Sequence, residues 1–154
     1  MKEPARVAFD ATDRRIVQLL HEDARRSLSD IGRRVNLSAP AVKRRLDRLE
    51  SDGVVAGYTA VVGAASVGWT TLAFVDLFCE GRVTASQVRD ICAAHAEIEG
   101  AYTVAGEPSA RLMVRATDTA HLENVLERLR ANKGVVRTAS QVVLSTLFER
   151  PFLP

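Results

Sequence analysis

Cysteine, histidine and lysine are scarce in this chain. Cys79 and Cys92 are its two cysteines, thirteen positions apart, and they form no CxxC pair or Cys/His cluster. A zinc finger or a dithiol redox motif is thereby excluded, and the habit of free cysteine predicts two buried, reduced thiols. His21, His95 and His121 are scattered without metal-ligand spacing and read as surface or capping residues. Lysine occurs only at Lys2, Lys43 and Lys133, against 18 arginines, a bias that genome composition explains as well as chemistry does. Long apolar runs are missing too. The stretch from Ala60 to Val75 is broken by Gly63, Ser66, Gly68, Thr70 and Thr71, short of the ~20 residues that a spanning helix needs. The opening residues MKEPARVAFDATDRR lack the apolar segment of a secretory signal, so a cytoplasmic protein is expected. Nucleophile-elbow, P-loop and dinucleotide-binding patterns are absent, and no cofactor is expected.

What is present suits a folded chain. Hydrophobic residues make up 47% of the 154 and charged residues 26%, enough for a core without disulfides or metal. The net charge of +2 is unevenly placed. Residues 1–57 carry twelve basic and nine acidic side chains, whereas residues 58–154 carry nine and ten.

The first third reads as three helices. In FDATDRRIVQLLHEDA, Ile16, Leu19 and Leu20 recur at helical spacing behind a cap at Asp10 or Thr12. SLSDIGRRV gives a helix of about two turns with Ser29 as its expected N-cap and Ile31 and Val35 on one face. Asn36, Leu37 and Ser38 supply a turn, with Ser38 capping a third helix from Ala39 to about Ser51 that ends at Gly53. Pro40 falls in its first turn, where a missing amide hydrogen costs nothing. On this third helix Val42, Leu46 and Leu49 share the inward stripe. Pro40, Lys43, Arg44, Asp47 and Arg48 fall outward, and Arg45 flanks the stripe, placed to pair with an acid of its own domain.

After Gly53 the period changes. VVAGYTAVV is β-branched and predicts a strand, and GAASVGW behind it suits a hinge, giving boundaries at 1–55, 56–69 and 70–154. Beyond the hinge, TTLAFVDLF, IEGAYTVAG, ARLMVRAT and the long VVRTASQVVLSTLFE read as strands. TASQVRDICAAHA and DTAHLENVLERLRANKG read as helices, and Trp69 reads as a packing residue at the hinge. The resulting order, β-α-β-β-α-β, is that of ferredoxin-like folds, so the chain is α+β: a helix-turn-helix followed by an antiparallel four-stranded sheet with both helices on one face. The uncovered face predicts a homodimer through this part.

A basic helix is by itself an ordinary solvated surface or a nucleic-acid contact. Its setting after a short helix and a tight turn favours double-stranded DNA. The stretch LLHEDARRSLSDIGRRVNLSAPAVKRRLDRLESDGVVAGYTAVV, with Asp13-Arg14 before it, resembles the DNA-binding half of the Lrp/AsnC (feast/famine) transcriptional regulators. AYTVAGEPSARLMVRATD and GVVRTASQVVLST are similar to that family's effector-binding half, so the likeness runs from about Phe9 to Leu147. It implies that the third helix enters DNA with Ser38, Ala39, Pro40, Lys43, Arg44 and Arg48, and that Arg25, Arg26 and Ser29 stand near phosphates. It also implies a small-molecule effector, amino-acid-like, held between subunits by Ala105, Gly106, Glu107, Pro108 and Ser109 with Thr138 and Ser140. The alternative for Gly106 to Ser109 is a plain hairpin turn. Pro108-Ser109-Ala110 departs from the Tyr-Asp-Tyr-like segment of many members, leaving no carboxylate at position 109. Tetramers or octamers built from dimers are implied as well, in the cytoplasm at the nucleoid. Two other readings are a chromosome-organising DNA binder without effector, and a tetrapyrrole decarboxylase like the siroheme decarboxylases, which share the scaffold.

Overall fold

The structure, a computed structural model, describes residues 9–81 and 83–149. The expected domain limits at residues 1 and 154 lie outside them. The chain divides into two compact units, the first running to Val61 and the second spanning Val62–Phe148.

The first unit is built from three helices: α1 (Ala11–Glu22), α2 (Leu28–Val35) and α3 (Ala39–Ser51). Asp10 and Asp13 cap α1 reciprocally, Asp13 N–H donating to the Asp10 carboxylate at 2.7 Å and Asp10 N–H to the Asp13 carboxylate at 3.2 Å. At α2 the cap is Ser27, whose Oγ accepts from Asp30 N–H at 3.2 Å. The expected cap Ser29 lies one residue inside the helix. Leu28 explains the shift, because it packs against the core and so belongs to the first turn, moving the cap two residues earlier. Asn36 closes α2 in the left-handed conformation (φ 54°), and Ser38 opens α3, with Pro40 in its first turn. Ile16, Leu19, Ile31 and Val42 make the core, with Leu20, Leu28, Val35 and Leu37 packed around it. Leu46 and Leu49 of α3 are also buried, as their spacing requires.

The expected strand near residues 56–62 does not form. Residues 54–63 hold no strand, and a four-residue 3-10 turn, Ala64–Val67, follows. β-branched composition supplies strand propensity but no partner, and a lone strand leaves its backbone groups unpaired. Val61 and Val62 are therefore 96% and 64% exposed.

The second unit follows β1 (Thr71–Cys79), α4 (Ala85–Ala93), β2 (Ile98–Tyr102), β3 (Ala110–Ala116), α5 (Thr119–Arg130) and β4 (Val135–Val142). The strands form one antiparallel sheet in the order β2-β3-β1-β4. Ala73, Val75 and Leu77 of β1 and Ala110, Leu112, Val114 and Ala116 of β3 meet Val88, Cys92, Leu122, Val125 and Leu129 of the helices in one core. Alternation puts Phe74, Asp76 and Phe78 of β1 with Arg111, Met113 and Arg115 of β3 on the face without that core. An ion pair and a cation–π contact cross this second face: Asp76 binds Arg111 through two contacts of 2.7 and 2.9 Å, and the Arg137 guanidinium lies 3.6 Å from the Phe78 ring centre.

β4 is shorter than its sequence suggested, ending at Val142 rather than continuing to Glu149. Val143 N–H makes a last bond to Leu72 C=O at 2.8 Å. β1 begins at Thr71, so the residues after Val143 meet no partner strand, and Leu144 and Leu147 are 97% and 90% exposed. No described helix is long and apolar enough to cross a membrane.

Candidate nucleic-acid interface and effector loop

α3 is amphipathic by construction. Val42, Leu46 and Leu49 are anchored in the first unit, which turns Pro40, Lys43, Arg44, Asp47 and Arg48 outward, all exposed. The entry to the helix is set by Ser38, whose Oγ accepts from Ala41 N–H at 3.4 Å. Gly32 allows the turn itself, because Leu37 C=O lies where a Cβ would otherwise stand.

The four cations of α3 differ in their partners. Lys43 is paired with Asp47 one turn on, which raises its pKa through the hydrogen bond. Arg45 is partly buried and donates to Asp10 at 2.7 Å and Asp13 at 2.8 Å. Asp10 is held below the usual carboxylate range, first by the Asp13 amide and then by Arg45. Arg48 donates through Nη2 to the second oxygen of Asp13 at 2.5 Å. Arg44 has no acidic partner among the described residues. With Leu37, Ala41, Arg45 and Arg48 it lines a concavity of about 370 Å³ beside the helix.

The residues expected at the start of α2 diverge. Arg25 and Ser29 are exposed, whereas the Arg26 side chain is 16% exposed and held on three sides. It donates to Asp30 at 2.8 Å, Glu22 at 3.4 Å and Leu19 C=O at 3.3 Å. Asp30 also takes Arg33 and Arg34 at 2.8 and 3.0 Å, and these arginines hold its carboxyl far below the usual range, with the Arg26 bond contributing most. Asp13 entered the sequence reading only through the Asp13-Arg14 resemblance, and Asp30 did not enter it. Their signals were legible: Asp10-x-x-Asp13 has capping-box spacing, and Asp30 stands four, three and four residues from Arg26, Arg33 and Arg34.

In the second unit Ala105, Gly106, Glu107, Pro108 and Ser109 form the β2–β3 connection, its first three residues exposed and Gly106 at φ 136°. Ser109 ties this loop to the end of β1: its N–H donates to Leu77 C=O at 2.8 Å, and its Oγ accepts from Cys79 N–H at 3.0 Å. Leu77 pairs with Ala110 on one side and Thr138 on the other, and Val75 pairs with Ser140. The fold thus gathers the loop and Thr138 around one residue of β1, with Ser140 a step along the sheet. His121, by contrast, is fixed at Glu97 (Nε2 to Oε1, 3.1 Å) and beside Thr117 N–H, and the Trp69 ring packs against it at a 60° tilt with ring centres 5.8 Å apart.

Comparison with known proteins matches both units. The AsnC-type helix-turn-helix domain covers residues 9–50, and the Lrp/AsnC ligand binding domain covers residues 72–153. The chain belongs to the Lrp/AsnC family of transcriptional regulators. This regulator is 47% identical to the HTH-type transcriptional regulator Rv2324 of Mycobacterium tuberculosis, over 92% of the chain and 96% of that protein. It is 40% identical to LrpA of the same organism, over 96% and 98%. Among solved structures, it is similar to the feast or famine regulatory protein Rv3291c of M. tuberculosis complexed with L-methionine: 38% identity, TM-score 0.86, 96% of this chain and all of that one. It is also similar to the regulator NMB0573 of Neisseria meningitidis in its L-methionine complex, at 28% identity and TM-score 0.87, over 94% and 96% of the two chains. This Lrp/AsnC protein is accordingly a transcriptional regulator with a DNA-binding helix-turn-helix and a ligand-binding domain.

Proposed function

We propose that α3 is the recognition helix of this regulator, that two copies pair through the open sheet face, and that an amino-acid-like effector occupies the β2–β3 loop between subunits. The observation that carries the DNA assignment is the division of α3: Val42, Leu46 and Leu49 buried, Lys43, Arg44 and Arg48 exposed on a helix entered by a Ser38 cap. Ser38, Ala39 and Pro40 bring the start of the helix to base edges, and the cations neutralise phosphates. Arg25 and Ser29 flank it from α2, and Arg26 contributes by fixing the start of α2. In a dimer the paired helices would meet successive major grooves about 34 Å apart.

The exposed loop 105–107 and the partly exposed Thr138 offer backbone amides, carbonyls and a hydroxyl but form half a site, which a neighbouring subunit would complete. Ligand there would bias how subunits assemble and hence the spacing of the DNA-binding units, as linkage requires. Glu107 is the acid available to an amino group. The residues of 56–69 serve as the hinge.

Replacing Lys43 and Arg44 together by Ala tests the helix assignment. Binding to the protein's own promoter region should be lost in a gel shift while the oligomer, sized by chromatography, stays intact. Undiminished affinity would refute it.

A further inference from the structure

Asp13 is fully buried, and among the described residues it is the one acid that touches two cations of α3. Its oxygens are divided: Oδ1 takes Arg45, and Oδ2 takes Arg48 and the Asp10 amide. A carboxylate in that position cannot be left unpaired, because an uncompensated buried charge is far costlier than a lost surface pair. The contrast with Lys43 and Asp47 decides which contact matters. Those two side chains are 57% and 51% exposed, and such a pair is weak and easily exchanged for a phosphate. Arg48 is different: one end of its guanidinium is held by a buried acid, while its side chain remains 43% exposed. Nε and Nη1 of Arg48 have no hydrogen-bond partner among the described residues. A planar fork fixed at one nitrogen presents the others in a set direction.

We propose that Asp13 is a positioning residue for DNA recognition, which fixes Arg48 in one orientation and lowers the free charge of Arg45 and Arg48, and so sets the ratio of specific to non-specific binding. This rests on α3 being the recognition helix. Non-specific affinity follows the number of free cations that can reach phosphates, whereas specific affinity needs a donor held at one place. Asp13 acts on both. It restrains two charges that would otherwise add to sequence-independent binding, and it aims the remaining donors of Arg48.

The test is Asp13→Asn in the full-length protein, with affinity measured for the native promoter region and for an unrelated duplex over a range of salt. Asparagine keeps the shape and a capping oxygen but removes the charge that holds the arginines. The unrelated duplex should bind several-fold to about ten-fold more tightly, with a salt slope steeper by about one unit per arginine released. The promoter should bind no more tightly, so the ratio collapses. Asp52→Asn, which removes an exposed acid outside this cluster, is the control for net charge and should leave the ratio unchanged. Equal tightening on both duplexes by Asp13→Asn would reduce the effect to charge, and equal weakening on both would reduce it to folding; either outcome overturns the proposal. If Asp13→Asn does not fold, Arg48→Lys decides: it keeps the charge but not the fork, and retained discrimination would overturn the proposal. Wild-type protein that binds neither duplex at low salt would instead remove the underlying reading of α3.

Discussion

Gly32 of α2 lies against the carbonyl oxygen of Leu37, so that a Cβ at Gly32 would fall well inside van der Waals contact with backbone. The same segment is closed by Leu37 N–H donating to Gly32 C=O at 2.9 Å. Two helices can therefore approach across the Asn36-Leu37-Ser38 turn because one side chain is absent. Gly32→Ala would ordinarily stabilise a helix by ~1 kcal/mol. Here the obstacle is backbone and cannot swing aside, so a net loss of about 1–3 kcal/mol is expected. Thermal or urea unfolding of the variant should show it, and an unchanged or raised midpoint would contradict the packing.

Acid should act on the second unit through Glu97. Burial pushes its carboxyl up, but the Arg128 guanidinium, its own backbone amide and His121 together bring it down from 4.5 to about 2. A carboxylate depressed in the folded state stabilises above the unfolded value and loses that contribution as pH falls through the folded one. The contribution of Glu97 is thus complete above about pH 4.5 and disappears between about 4.5 and 2. Trp69, the single tryptophan, packs tilted against His121 beside this cluster and reports on it by fluorescence. In Glu97→Gln the fall in melting temperature across that window should be smaller than in the parent. Identical pH profiles would remove Glu97 from the account.

The elements that could be read from sequence are those whose signals are local. Apolar spacing placed α3, and its buried Val42, Leu46 and Leu49 follow from a period of 3.6 residues. β-rich composition likewise placed β1 and β3. Arg45 was assigned to an intradomain acid from its place on the helical wheel, and it meets Asp10 and Asp13. What failed depended on partners distant in sequence. The strand near residue 58 and the extension of β4 have the right composition, but no strand among the described residues pairs with them. The α2 cap moved from Ser29 to Ser27 because two serines flank Leu28, and only packing of Leu28 chooses between them. The ion pairs of Asp13 were missed because Arg45 and Arg48 are more than thirty residues away, and no short-range pattern connects them to it.

The proposed dimer makes a prediction about Phe74. It lies on the sheet face away from the α4/α5 core, 39% exposed, opposite Met113 on one side and Gln141 on the other. An aromatic residue among residues of both signs is the composition of an interface core with a polar rim. Phe74→Glu would bury an unpaired charge in a dimer and cost nothing comparable in a monomer. Light scattering should therefore register a lower mass for the variant at matched concentration, with the monomer fold retained by circular dichroism. A parent and variant of equal mass would place the contact elsewhere.

The effector loop can be tested without knowing its ligand in advance. Two similar regulators have been solved with L-methionine, which makes that amino acid the first probe, ahead of the other amino acids and related metabolites. Ligand that binds only folded protein raises the melting temperature, by ~2.7 kcal/mol of stability at a hundred-fold excess over its dissociation constant. Position 109 is a serine whose amide and hydroxyl are both tied to β1, so in the proposed site Glu107 and backbone carbonyls are the groups that would meet an amino group. Glu107→Gln separates these cases. If Glu107 provides the counter-charge, the variant loses the thermal shift for a zwitterion while keeping its own melting temperature, since the side chain is exposed and has no structural partner among the described residues. If the shift survives in Glu107→Gln, backbone carbonyls hold the amino group. A flat response across the whole set in the parent, with promoter binding intact, would instead support a DNA binder that needs no effector.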